Sequence, residues 1–378
     1  MPVFSAKLLL YPAFWLLLLG LYRAAPPVEK NTISGTIRGL APGSVQLIVE
    51  TDINRKKERV LADIDVDASG RFHWEGAMAP NIYRLQIGPG RSIRLALDRG
   101  QQVLVQGDAT GPLQVTGSKD TELLEAYEAF RKGSLLRLVQ PVRDAIRALE
   151  AQGVAGNDPR IDSLALQETR AYGQHKDELI GFVRTEMGTS IAVYATSIRW
   201  DGAANLSFLT DLAARFAGAH PGTEIAARVA EKVRVLAASS VGGKVAGIQL
   251  PDSNGVTIAL SSVRARYLLV DFWGSWCLPC RRESGLLGEL YRTYKPQGFE
   301  IYAVGLESKK ENWLRAIERD KRSWINVSGL QLFETPAAFD YSVTALPANV
   351  LIDSSGTVIA RNLHGAELKK TLGRLFEK

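Results

Sequence analysis

Hydrophobic and polar positions change their rhythm twice along the 378-residue chain, near 119 and near 240. Between 30 and 118 they run in short, partly alternating stretches: "TISGTIRGL", "SVQLIVET", "RFHWEGAM", "YRLQIG", "SIRLALDRG" and "QVLVQGD", with Gly, Pro, Asn or Asp between them. A period of two is that of a strand with one buried face, and this spacing predicts a small antiparallel β-sandwich or barrel. From 119 to 238 the apolar spacing lengthens to three and four residues, as in "TELLEAYEAFRKGSLLRLVQPVRDAIRALEAQG" and "TDLAARFAGAHPGTEIAARVAEKVRVLAA". That period belongs to amphipathic helices. "GVAGNDP" at 153–159 and "HPG" at 220–222 punctuate them, so the segment reads as antiparallel helical hairpins linking two other domains.

"SSVGGK" at 239–244 marks the second change. Asn254 and Gly255 then form a hairpin signal between two β-prone runs. Strands are expected at 267–273, 299–306, 348–353 and 358–363, with helices at 277–295, 310–321 and 366–377. This alternation predicts an α/β domain over 242–378, with a mixed central sheet, helices on both faces and a hairpin near its C-terminal edge.

The first 25 residues stand apart. Lys7 precedes an uncharged apolar run at 8–22. A spanning helix needs about 20 residues, so the run suits the core of an export signal. Cleavage after Ala24 would put Tyr22 where a small residue is expected, which leaves a removed signal peptide and an uncleaved membrane anchor both open. Either places the remaining chain in the periplasm or cell envelope.

Composition adds little to this outline. Apolar residues make up 46% and charged residues 23%, enough for packed cores, and the length suits two or three domains. The net charge of +6 is spread along the helices. Without a clustered basic footprint, no nucleic-acid partner is expected.

The chemistry concentrates in "VDFWGSWCLPCRRE" at 270–283, which holds the two cysteines of the chain. A structural bridge between residues three apart closes too short a loop to stabilise much. Two cysteines supply half of a tetrahedral metal site, and His73, His175, His220 and His364 lack ligand spacing. The proline-threonine pocket of a peroxidatic cysteine is missing. A redox dithiol fits best. Cys277 falls at the entry to a helix, where backbone N–H groups and the helix dipole stabilise a thiolate. Cys280, one turn further in, is expected to be more buried and less acidic. Cys277 would then attack a partner disulfide and Cys280 would resolve the mixed disulfide. Pro279 suits the first helical turn. Asp271, inside an apolar strand, should have a raised pKa and accept the Cys280 proton. Glu283, three residues after Cys280, shares its helical face.

"LLVDFWGSWCLPCRRE" resembles the active-site segment of the thioredoxin superfamily, most closely its exported TlpA/ResA-like thiol–disulfide oxidoreductases. "VTALPANVLIDSSGTVI" is similar to the second element of that family. The resemblance covers about 242–378. It implies that Pro347 is the cis-proline opposite the cysteines and that the Leu346 backbone pairs with an extended substrate segment. It also implies that Asp271 is the buried acid and Glu283 the acid of a C-x-P-C-x-x-E pattern. Trp276, Leu278 and Pro279 would complete the substrate surface. No cofactor is implied, because the Cys277–Cys280 disulfide carries the two electrons. The implied partners are disulfide-containing exported proteins, apocytochromes among them, and a membrane thiol reductant as electron donor. Two positions depart from the pattern: Gly285 replaces a helix-kinking proline, and Leu278 replaces the commoner glycine. The region before the domain is similar to uncharacterised regions that precede such domains in exported bacterial proteins. A second reading is a partner-binding scaffold, its first 240 residues recognising a protein and its thioredoxin-like domain weakly active.

Overall fold

Burial follows the alternation in the first strand, where Asn31, Ile33, Gly35 and Ile37 face inward and their neighbours do not. Gly35 is required there, since a Cβ would lie 2.7 Å from the Val105 carbonyl and closer still to the Phe72 ring. The computed structural model describes residues 29–154, 158–200 and 205–377. Its first part holds β1 (Lys30–Arg38), β2 (Gly43–Asp52), β3 (Lys57–Val66), β4 (Arg71–Ala77), β5 (Asn81–Gly88), β6 (Arg91–Leu97), β7 (Gln102–Asp108) and β8 (Leu113–Thr116). They form one sheet in the order β6-β5-β2-β3-β4-β1-β7-β8. Its two halves meet through one register pair, Val66 with Phe72. The expected purely antiparallel arrangement is corrected at one place: β1 and β7 run parallel. They are far apart in sequence, so no tight turn constrains their relative direction. Residues from both halves, such as Ile33, Leu47, Phe72, Leu85 and Val105, share one core.

The helical part comprises α1 (Lys119–Leu138), α2 (Gln140–Ala151), α3 (Pro159–Glu186), α4 (Ala192–Thr196), α5 (Leu206–Ala219) and α6 (Glu224–Ala238). Side chains of Ser118, Asp158 and Thr223 accept from backbone N–H groups at the starts of α1, α3 and α6. Ile53, Ile82 and Ala96 of the β part lie in the same core as Tyr194, Trp200, Leu209 and Phe216 of the helices. The helical segment is therefore packed on the β part and is more than a connector.

The last part contains β9 (Gln249–Pro251), β10 (Thr257–Ala259), β11 (Tyr267–Trp273), α7 (Leu278–Tyr294), β12 (Phe299–Gly305), α8 (Lys310–Arg319), β13 (Ile325–Val327), α9 (Pro336–Asp340), β14 (Ala348–Asp353), β15 (Val358–Arg361) and α10 (Gly365–Phe376). The β9–β10 hairpin turns at Asn254 and Gly255, with Gly255 at φ 86°. The five-stranded sheet runs β13-β12-β11-β14-β15; β11, β12 and β13 are parallel, and β14 is antiparallel to both neighbours. Strand β13 was not legible because three residues carry no periodicity. Strand β15 stops at Arg361, before the expected 363, because Asn362 adopts φ 49°.

Both faces of β11 are buried. Leu268, Val270 and Phe272 join one core, and Leu269 and Trp273 the other. The second face is covered by α7, α8 and α10 through Leu287, Trp313 and Leu368. The expectation of helices on both faces needs correction in degree. The first face meets the short α9, through Ala337 and Ala338, together with Ile248 and Leu260 flanking the hairpin. Those segments already exclude water there, and no long helix is needed. The N-terminal segment at 1–25, with its export reading, lies outside the described residues. Among the described residues no helix is long and apolar enough to cross a membrane.

Candidate active site

Strand β11 delivers the chain to a short loop that is tied down before the first cysteine. The Leu306 N–H donates to the Trp273 carbonyl at 2.8 Å. Trp276 Nε1 donates to the Leu306 carbonyl at 2.8 Å, and Ser275 Oγ to Glu307 Oε2 at 2.8 Å. The Ser275 N–H also donates to Glu307 Oε1. Gly274 is needed, because a Cβ would sit 2.8 Å from Trp276 Nε1. Burial pushes the Glu307 carboxyl up, against the two bonds from Ser275.

Cys277 is the N-cap of α7, and the Cys280 N–H points at its Sγ at 3.2 Å. Pro279 lies in the first turn, as expected. The two cysteines are joined, with S–S 1.97 Å and Cα–Cα 5.3 Å. Their burial differs less than expected: Cys277 is 5% exposed and Cys280 3%. Neighbouring structure covers the outer sulfur as well. Helix α7 runs without interruption past Gly285.

The parity of β11 puts Asp271 on the same face as Leu269 and Trp273, under α7. It is 4% exposed, which excludes a solvated strand-end acid. Arg322 Nη2 donates to its Oδ2 at 2.6 Å, and Arg322 Nη1 donates to Ser284 Oγ at 2.6 Å. The guanidinium lies 3.8 Å from the Trp273 ring centroid. Burial raises the Asp271 carboxyl pKa against the pull of Arg322, and the charge of Glu283 adds to the rise. Burial lowers Arg322 from its ordinary value, yet a guanidinium starts high enough to stay charged.

Glu283 is not a solvated helix charge. Its Oε2 accepts from His364 Nδ1 at 2.9 Å and its Oε1 from the Gly365 N–H at 3.0 Å, where α10 begins. A carboxylate at a helix N-terminus is favourably placed against the exposed N–H groups. For His364, burial pulls the pKa down, but the hydrogen bond and charge of Glu283 outweigh it and the net direction is up.

A cleft of about 670 Å³ opens over the cysteines, and Trp276, Cys277, Leu278, Pro279, Leu346 and Pro347 all line it. The Leu346–Pro347 peptide bond is cis. Cys280, Asp271 and Glu283 sit behind this surface. His364 also lines the cleft and so connects Glu283 to it. Sequence reasoning missed Arg322, Ser284, Glu307 and His364. Arg322 lies 51 residues from its partner in an unremarkable charged stretch. His364 had one usable signal, its place just before Gly365 at the head of the last helix. Among the described residues no cluster of three or more His, Cys, Asp or Glu is placed to hold a metal ion.

Residues 241–361 match the AhpC/TSA family. The thiol-disulfide oxidoreductase ResA of Geobacillus kaustophilus (strain HTA426) is 36% identical over 140 residues, covering 37% of this chain and 78% of the relative. ResA of Bacillus subtilis (strain 168) is 31% identical over 121 residues, covering 32% of this chain and 65% of that protein. A solved thioredoxin domain of a Bacteroides vulgatus thiol-disulfide oxidoreductase is 31% identical, with a TM-score of 0.35, covering 36% of this chain and 97% of that one. With the cysteine pair at a strand-to-helix junction and the cis-proline loop beside it, the chain belongs to the TlpA/ResA-like thiol–disulfide oxidoreductases of the thioredoxin superfamily.

Proposed function

We propose that the chain is an exported enzyme that reduces or exchanges disulfides in cell-envelope proteins, apocytochromes among them, and is recharged by a membrane thiol reductant. The observation that carries the reading is Cys277 at the N-cap of α7, its sulfur facing the Cys280 N–H, on a cleft shared with Pro347. In the reduced protein the Cys277 thiolate attacks one sulfur of the substrate disulfide. A mixed disulfide forms and the other substrate sulfur leaves as a thiolate that takes up a proton. The Cys280 thiol passes its proton to Asp271, and its sulfur attacks Cys277 Sγ. The second substrate sulfur leaves as a thiolate that takes up a proton, the Cys277–Cys280 disulfide forms, and Asp271 gives its proton back to solvent. Two electrons have moved from the enzyme dithiol to the substrate, so no cofactor enters the cycle. The desolvated Asp271 is suited to that proton because burial has lifted its affinity for it.

Residues 30–118, 119–238 and 242–378 are taken as the three units of the chain. The β unit is read as a sandwich whose four-stranded layers meet at Val66 and Phe72. The test of the activity is disulfide reduction by wild type, Cys277→Ser and Cys280→Ser. Cys277→Ser is expected to abolish turnover, and Cys280→Ser to stall with substrate trapped on Cys277. Wild-type turnover in either variant would exclude the mechanism.

A further inference from the structure

The cleft over the cysteines has a second wall, and it comes from outside the thioredoxin-like part. Arg143, Arg147, Glu168, Tyr172 and Lys176 of α2 and α3 line it opposite the loop that ends at Pro347. Leu278, the residue that departs from the common glycine, explains how this wall is held. Its side chain packs against the cluster of Val142, Ile146 and Ile161. A glycine there would offer the helices nothing to grip. The dipeptide between the cysteines therefore fastens the helical segment to the head of α7.

Cationic side chains also outnumber carboxylates around the cleft. Arg143, Arg147, Lys176 and, across the cleft, Arg361 line it, whereas Glu168 is the one carboxylate among the described lining residues. Glu168 is held by Arg143 at 2.6 Å. Asp144 pairs with Arg147 from beside the lining, with both groups well exposed. An exposed pair of that kind is worth little and can be exchanged for another carboxylate. Arg361 is turned toward backbone, donating to the Tyr341 carbonyl at 3.0 Å and to the Ser239 carbonyl. Lys176 lies over the Tyr172 ring at 5.8 Å. The cleft mouth also carries Trp276, 53% exposed, with its ring 6.1 Å from that of Phe333.

We propose that the α2–α3 pair is a selecting wall of the substrate cleft, and that it favours extended polypeptide segments with carboxylates flanking the cysteine to be reduced. The proposal rests on the thiol–disulfide exchange above and adds its substrate class. Cationic groups attract such a segment only locally, because salt screens beyond about 8 Å at physiological ionic strength.

The test uses the full chain and three substrates. Two are otherwise identical disulfide-bonded peptides flanked by Asp and Glu or by Lys, and the third is the small neutral hydroxyethyl disulfide. The expected kcat/KM ratio of acidic to basic peptide is about tenfold at low salt, falling toward one in 0.5 M NaCl. In Arg147→Glu/Lys176→Glu the ratio is expected to fall to one or invert, and Arg147→Lys to retain it. Equal kcat/KM for the two peptides in the wild type overturns the proposal, as does a ratio that the charge reversal leaves in place. Failure to reduce any substrate, hydroxyethyl disulfide included, overturns the exchange reading on which it rests.

Discussion

Asp271 and Arg322 form the most consequential pair of side chains below the cysteines. Both are buried, at 4% and 3% exposure, and they pair at 2.6 Å, each offsetting part of the other's desolvation. Arg322→Met is expected to cost about 3–5 kcal/mol, since it strands a buried carboxylate. Adding Asp271→Asn should recover much of that loss. Urea unfolding of the oxidised single and double variants checks the coupling, and additive losses would contradict it. His364 makes a pH prediction. Its pKa is raised in the folded protein, so the fold holds its proton more tightly than the unfolded chain does. The stability this supplies is complete below the unfolded value of about 6.5 and is lost as pH rises through the higher folded value. The gap in unfolding free energy between wild type and His364→Gln should therefore narrow between pH 6 and pH 9. A gap constant over that range would show that the pairing with Glu283 does not depend on the proton.

At the scale of elements, α7 carries three tasks that its sequence shows unequally. Cys277 as N-cap and Pro279 in the first turn are readable from residue type and position. The inward face with Leu287, Leu290 and Tyr291 follows from helical spacing. The contact of Leu278 with α2 and α3 is not readable, because nothing local distinguishes it from an exposed leucine at a helix start. Leu278→Ala is expected to cost about 1–2 kcal/mol, less than full burial would give because the side chain is half-buried. It should also loosen the wall. Hydrogen exchange of α2 amides checks this, with faster exchange expected there and unchanged rates in β5 and β6. Uniform acceleration throughout would point to global destabilisation instead.

Across the whole molecule, contacts join regions that the hydrophobic rhythm separates. The Ile53 N–H donates to Tyr194 Oη at 3.1 Å, which ties the end of β2 to the helical core. Arg55 bonds Asp52 at 2.9 Å and Glu231 at 2.8 Å, and its guanidinium lies 3.8 Å from the Phe339 ring centroid. One arginine thus links the β part, α6 and α9. The active-site cleft is the functional form of the same continuity, with walls separated by more than a hundred residues of chain.

Local chemistry was sufficient for the three rhythms of the chain, the strand-to-helix junction at the cysteines and the hairpin at Asn254 and Gly255, because each depends on residues close in sequence. The burial of Asp271 was readable for the same reason, from the apolar residues around it. The partners of Asp271 and Glu283, the parallel β1–β7 pairing and the covering of Cys277 were decided by tertiary structure alone. Each depends on which distant segments meet, and a single sequence carries no record of that. Leu278 spans the two cases: its departure from glycine was visible, but its purpose appears only where α2 and α3 close over it.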